Sequence, residues 1–193
     1  MRPYIETHHI WVVWLVLWVA TAIIEVAGVA RRRTEATKKD MGSRVVLRLC
    51  IFPGVIVLAA SPKIAPGAEI HPPLVAVVVG MVIFAAGEAL RIWAKAALGR
   101  YFTYTVMTSS DQPVITSGPY RYVRHPSYTG ILLIAIGAGT VWDNWLGLGA
   151  VTLGTLVGLA YRIYVEEKAL LDELGDRYRT YAQDHKRLIP RVW

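Results

Sequence analysis

Cysteine is almost missing from this chain: Cys50 is the single thiol among 193 residues. One thiol excludes an internal disulfide and any cysteine-based zinc site, and Cys50 reads as a small apolar filler. Charge is scarce too, at 18% of residues against 54% hydrophobic ones, with a mean hydropathy of +0.40. That balance excludes an ordinary soluble domain and indicates a membrane protein of one domain, residues 1–193. Acidic residues number 14 against 21 Lys and Arg, a net charge of +7. In so apolar a chain, excess Lys and Arg mark cytoplasmic loops and contacts with anionic lipid rather than nucleic acid. His8, His9, His71 and His185 lack paired spacing, which leaves no metal site. Gly137-x-Gly139 and Gly147-x-Gly149 follow no strand, so they are not nucleotide loops. Internal repeats and low-complexity segments are absent.

What the chain does contain is five apolar runs. Residues 10–30 are long enough to cross a bilayer core and carry one charge, Glu25. They exceed a signal-peptide h-region, so they read as a retained spanning helix followed by the basic cluster at residues 31–39. Residues 45–60 form a shorter run that Pro53-Gly54 would kink or tilt. Residues 61–73 are rich in turn formers and read as a linker. A third run starts at Leu74, acquires Glu88, Arg91 and Lys95 on one face, and ends near Gly99. Glu88 and Arg91 are spaced to pair. Residues 131–142 and 145–163 form the fourth and fifth runs, separated only by Asp143-Asn144, which predicts a tight hairpin between flanking tryptophans.

The expected fold is therefore an all-α membrane protein with about five transmembrane helices, the last two a hairpin. Basic residues crowd residues 31–39, residues 100–124 and the C-terminal tail. By the positive-inside rule the N-terminus faces out and the C-terminus faces the cytoplasm. Ala150, Gly154 and Gly158 repeat every fourth residue, spacing that brings helices close in lipid and would pack the hairpin's two helices together. In the tail, Leu170, Leu174, Tyr178 and Tyr181 share one helical face, which predicts an amphipathic helix at the cytoplasmic interface. Gly175 weakens that helix or splits it.

Polar chemistry concentrates at the cytoplasmic edge. In "GPYRYVRHPSYTG", residues 118–130, Pro126 suits the first turn of the following helix and places His125 at its cap. A helix N-terminus beside Arg124 attracts a carboxylate or phosphate. Tyr120, Tyr122 and Tyr128 offer flat surfaces for a heteroaromatic ring, although an interfacial aromatic belt would use the same residues. One turn apart on the fifth run, Arg162 and Glu166 can pair. Glu167 points about 100° away from Glu166, so the two carboxylates cannot share a partner on that helix. Carboxylates at this depth face a cavity or counter-ion, or snorkel to the headgroups.

Three stretches follow in order: "LGRYFTYTV", "PVITSGPYRYVRHPSYTGILL" and "YRIYVEEKALLDELGDRYRTYAQDHKRLIP". Together they resemble the isoprenylcysteine carboxyl methyltransferase family, integral-membrane enzymes also similar to phospholipid methyltransferases. The resemblance spans residues 87–190, so it implies a cofactor-binding catalytic half at residues 87–193 behind N-terminal spans at residues 1–86. It implies S-adenosylmethionine as methyl donor, bound near the cytoplasmic face, and a lipophilic acceptor entering from the bilayer, such as a prenylcysteine-like carboxylate. It further implies a cofactor pocket of His125, Pro126, Tyr128 and Glu166, a loop shaped by Gly118 and Tyr120, and a reacting end formed by Arg162, Glu167 and Arg124. Membrane sterol reductases share a comparable C-terminal half, so an NADPH-dependent reductase is the rival enzyme. A non-catalytic scaffold whose basic tail binds anionic lipid is the rival outside enzymes.

Overall fold

The computed structural model describes residues 37–38, 40–102, 107–108 and 113–193. The predicted first span at residues 10–30, with Glu25, lies outside them. Five α-helices are present among the described residues: α1 (Ser43–Ile64), α2 (Pro73–Leu98), α3 (Pro126–Val141), α4 (Trp145–Leu174) and α5 (Asp176–Asp184). Short 3₁₀ turns occupy Gly99–Tyr101 and Gly118–Arg121, and Thr37–Lys38 pairs antiparallel with Met107–Thr108.

Three of these helices, α1, α2 and α4, are long and apolar enough to cross a membrane, while α3 is a shorter apolar helix. Their outer faces carry exposed Leu49, Phe52, Val78, Val82 and Leu153, residues that water would not solvate cheaply. At 30 residues, α4 is about 45 Å long, well beyond a hydrocarbon core of roughly 30 Å. Its charged second half therefore projects past its apolar first half.

Helix α1 continues through Ile64, four residues beyond the predicted run, so residues 61–64 are helix rather than linker. Local chemistry explains the extension. Pro62 has no N–H to give the Leu58 carbonyl, and the Ser61 hydroxyl donates to that carbonyl instead, at 2.8 Å.

The small-residue stripe on α4 faces a different neighbour from the one its spacing suggested. A Cβ placed on Gly154 would collide with the Cys50 carbonyl, and one on Gly158 would lie 3.0 Å from Leu47 Cα. Reciprocally, a Cβ on Gly54 would lie 2.7 Å from the Ala150 carbonyl oxygen. The stripe thus seats α1 against α4, with half-buried Cys50 at the seam, and does not join the hairpin's own helices. Helix α3 instead packs closely on α2, where a Cβ on Gly87 would lie 2.8 Å from the Gly130 carbonyl oxygen. Two close-packed pairs result, α1–α4 and α2–α3, because each glycine removes the side chain that would hold two backbones apart.

The α3–α4 turn is short, as Asp143-Asn144 predicts. Asn144 caps α4 by accepting from Leu146 N (3.0 Å) and Gly147 N (3.3 Å). Its amide also donates to the Ala65 carbonyl at 2.9 Å, tying the turn to the end of α1. At the other end, α4 stops at Gly175, whose φ of +55° is left-handed, and α5 begins at once. The predicted tail face is buried here: Leu174, Tyr178 and Tyr181 form one cluster with Val114 and Leu170 around them.

Candidate functional site

The site grows from the start of α3. His125 occupies the cap position and Pro126 the first turn, as the His-Pro pair predicts. The three residues before Pro126 run beside the C-terminal tail. Val123 forms a parallel bridge with Lys186, Arg124 N donates to the Lys186 carbonyl at 2.8 Å, and His125 N donates to the Arg187 carbonyl at 3.0 Å. The Thr129 hydroxyl adds a bond to the Leu188 carbonyl at 2.8 Å. This pairing fixes where the side chains of Arg124 and His125 emerge.

Both reach Glu167 on α4. Arg124 Nη2 lies 3.0 Å and His125 Nε2 3.2 Å from Glu167 Oε1. Arg187 takes the other oxygen, with Nη2 at 2.9 Å and Nε at 3.0 Å. One carboxylate, 8% exposed, thus gathers a histidine and two guanidinium groups. Such a buried charge is tolerated because every direction around it is met by a donor.

Glu166 belongs to a second, adjacent group. Tyr128 donates its phenolic proton to Glu166 Oε2, and Arg162 Nε donates to the Tyr128 oxygen at 2.8 Å. Arg162 and Glu166 are therefore linked through the tyrosine hydroxyl. The two carboxylates do serve different partners, in line with their 100° offset. What joins the groups is a ring stack: His125 and Tyr128 lie 5.5 Å apart with planes 12° from parallel. The far end of Arg162 meets Ser43 Oγ at 3.0 Å and Asp40 Oδ1 at 3.3 Å.

Six of the predicted residues, Arg124, His125, Tyr128, Arg162, Glu166 and Glu167, thus converge, with Pro126 starting the helix that carries Tyr128. Gly118 and Tyr120 sit to one side. Gly118, at φ +59°, lies close enough to α2 that a Cβ would fall 3.2 Å from Ala97 Cβ. Buried Tyr120 accepts at its carbonyl from the Tyr181 hydroxyl at 2.7 Å. Tyr122 stays exposed, with Arg121 stacked over it at 5.1 Å, so the three tyrosines do not share one surface. Arg91 on α2 reaches the Ser127 carbonyl at 3.4 Å and braces α3 from behind, while Lys95 stands 5.6 Å over the Phe102 ring.

Burial pushes the phenols around this site up. Tyr120 and Tyr178 rise far above the ordinary tyrosine range, mainly through lost hydration and next through nearby carboxylates, Glu166 for Tyr120 and Glu167 for Tyr178. Tyr181 is pushed up to about 12 by burial, with Arg124 opposing. Two buried donors, Arg124 Nε and the Tyr178 hydroxyl, have no hydrogen-bond partner among the described residues.

Sequence reasoning missed Asp40, Ser43 and Arg187. Asp40 carried a weak signal, an acid closing a long basic run with a serine three residues on. Arg187 carried none, being one cation among several in the tail.

The isoprenylcysteine carboxyl methyltransferase family model matches residues 78–172, which span α3 and nearly all of α2 and α4. Over those residues the chain is similar to this family. It is 36% identical over 116 residues to the protein-S-isoprenylcysteine O-methyltransferase of Tribolium castaneum, covering 59% of this chain and 41% of that protein. It is 32% identical over 108 residues to the Schizosaccharomyces pombe protein of the same name, covering 55% and 46%. Among solved structures, a eukaryotic intramembrane Ras methyltransferase of this family superposes with a TM-score of 0.62 at 30% identity, over 75% of this chain and 52% of that one. The chain thus spans about half the length of these relatives. The similarity to this membrane family and three helices long and apolar enough to cross a bilayer support an integral membrane location.

Proposed function

We propose that this protein transfers a methyl group from S-adenosylmethionine to a lipophilic acceptor arriving from the bilayer, such as a prenylcysteine-like carboxylate. The supporting observation is that two segments some forty residues apart, around His125 and around Glu167, close into one buried polar group. The names of the relatives point the same way, and no observation favours the reductase or the lipid-binding scaffold. In this reading residues 1–193 form one membrane domain, the amphipathic tail and the site lie on the cytoplasmic side, and the N-terminus lies outside.

The residues fit a zwitterionic methyl donor. Arg124 Nε and the Tyr178 hydroxyl are buried donors awaiting acceptors, the chemistry that a carboxylate or a ribose hydroxyl would satisfy. Glu166 supplies negative charge for a cationic group, whereas the charge of Glu167 is already met by Arg124 and Arg187. Arg124, His125, Tyr128, Glu166 and Tyr178 would hold the donor, with Pro126, Gly118 and Tyr120 shaping the wall. When bound, that donor supplies an electrophilic methyl group.

The protein's part is then orientation and exclusion of water. A carboxylate acceptor is already ionised near neutral pH and requires no base. Arg162, bonded at Nε to Tyr128 and at Nη1 to Ser43 and Asp40, would contribute its positive charge near such a group. Glu167 keeps Arg124 and His125 in place by holding both at one oxygen. An amine acceptor would instead require a proton acceptor, and Glu167 would have to give up one of its three partners to act as one.

The test is calorimetric titration of purified protein with S-adenosylmethionine and with NADPH, followed by labelled methyl transfer to a prenylcysteine analogue. Saturable binding of S-adenosylmethionine and label in the lipid product are expected. Binding of NADPH alone would overturn the proposal.

A further inference from the structure

The family match begins at residue 78, yet the described site reaches back to Asp40 and Ser43, just before and at the start of α1. We infer that Asp40 and Ser43 are positioning residues for the reaction, holding Arg162 so that Arg162 in turn orients Tyr128 and Glu166. This inference rests on the methyl-transfer reading above.

The bonding pattern has one direction throughout. Arginine only donates. Its Nη1 gives to Ser43 Oγ at 3.0 Å and to Asp40 Oδ1 at 3.3 Å. The Ser43 hydroxyl, accepting from Arg162, sends its own proton to Asp40 Oδ1 at 2.9 Å. At the other edge of the same guanidinium, Nε gives to Tyr128, which must then direct its proton to Glu166. Because the guanidinium is planar and rigid, fixing Nη1 at one edge fixes the aim of Nε at the other. Asp40, Ser43 and Arg162 are all buried, at 6%, 0% and 5% exposure, so water cannot take over the anchoring role. Arg162 also lies 5.7 Å from the Tyr128 ring, and that ring stacks on His125. Loosening the anchor would therefore move the donor-holding stack as well as the arginine.

An alternative role for Asp40 is to pin α1 to α4 and nothing more. The experiment separates the two. Asp40→Asn keeps the shape and removes the charge, and Ser43→Ala removes the hydroxyl. Each is compared with wild type and with Arg179→Ala, which breaks an exposed pair with Asp176 far from this network. Expected for Asp40→Asn is a kcat lower by about 100-fold, the scale for a misplaced catalytic group, with KM for the donor raised several-fold because the donor-holding stack shifts as well. Ser43→Ala should lower kcat by about tenfold, and Asp40→Glu should recover part of the loss. A second readout is independent of activity. The Arg162 Nε–H resonance, assigned by its loss in Arg162→Lys, should exchange with solvent about tenfold faster in Asp40→Asn than in wild type.

If the folded variants keep wild-type kcat and wild-type Nε–H exchange, the inference fails. It also fails if the variants lose thermal stability while the folded fraction turns over normally, because that is the signature of a helix pin. Should Asp40→Asn not fold, Ser43→Ala decides by the same two readouts. If wild-type protein transfers no methyl group at all, the methyl-transfer reading has failed, and the exchange measurement still decides whether Asp40 and Ser43 aim Arg162.

Discussion

The two halves of α4 make opposite demands on their residues. Between Trp145 and Gly158 the helix is apolar and narrow, and its small residues let α1 approach to backbone contact. From Leu159 onward the same helix carries Arg162, Glu166 and Glu167, each buried or partly buried and each bonded to a distant segment. The first half cannot accept added volume. The second cannot accept lost charge. A single rod thereby converts tight packing in the apolar layer into exact spacing of polar groups at its end.

The largest effect should follow from touching the second half. Glu167→Gln leaves Arg124, His125 and Arg187 without their shared anion, and methyl transfer should fall by at least about 100-fold, measured with labelled donor on protein shown to be folded by circular dichroism. Near wild-type turnover would remove Glu167 from the site. In the first half, Gly154→Leu should leave the polar residues intact but destabilise the α1–α4 seam by about 1–3 kcal/mol or more, seen as a lower melting temperature in detergent. An unchanged melting temperature would show that the seam can spread without cost.

A smaller effect tests the boundary between structure and binding. Tyr178→Phe removes a buried hydroxyl that has no hydrogen-bond partner among the described residues. Stability should therefore hold or rise by up to about 1 kcal/mol, while affinity for S-adenosylmethionine falls several-fold in calorimetry. A loss of stability would mean that the hydroxyl is already bonded.

The smallest effect concerns pH. Tyr181 in the α5 cluster keeps its proton up to about 12 when folded, whereas an unfolded tyrosine releases it near 10. Between those values the unfolded chain binds fewer protons, so stability falls as pH rises through the window. Melting temperatures should be flat from pH 8 to pH 9 and decline from pH 10 to pH 12, with a shallower decline in Tyr181→Phe.

Local rules read much of this molecule from its sequence. His125 at a cap, Pro126 in a first turn and Gly175 at a helix break each depend on neighbours within a few residues, and each stands where local chemistry puts it. The same holds for the Asp143-Asn144 turn. Tertiary partners were less legible. Four-residue spacing of small residues identifies a close-packing face on α4, but the spacing alone does not say which helix opposes it, and α1 rather than α3 does. Pro62 looked like a break because the compensating bond from Ser61 is a side-chain choice that spacing does not encode. Within the site, the motif residues around His125 and Glu167 were visible as a pattern. Asp40 and Arg187 were not, because each is an ordinary charged residue whose importance comes only from folding back across the chain.

The strand-like pairing of Lys186 with Val123 has a consequence for biosynthesis. Glu167 and the α3 cap are both synthesised before Arg187, so during translation the carboxylate waits with only part of its cationic shell. Completion of that shell therefore waits for residues translated after every helix of the fold. A chain stopped short of residue 187 would leave Glu167 with Arg124 and His125 alone.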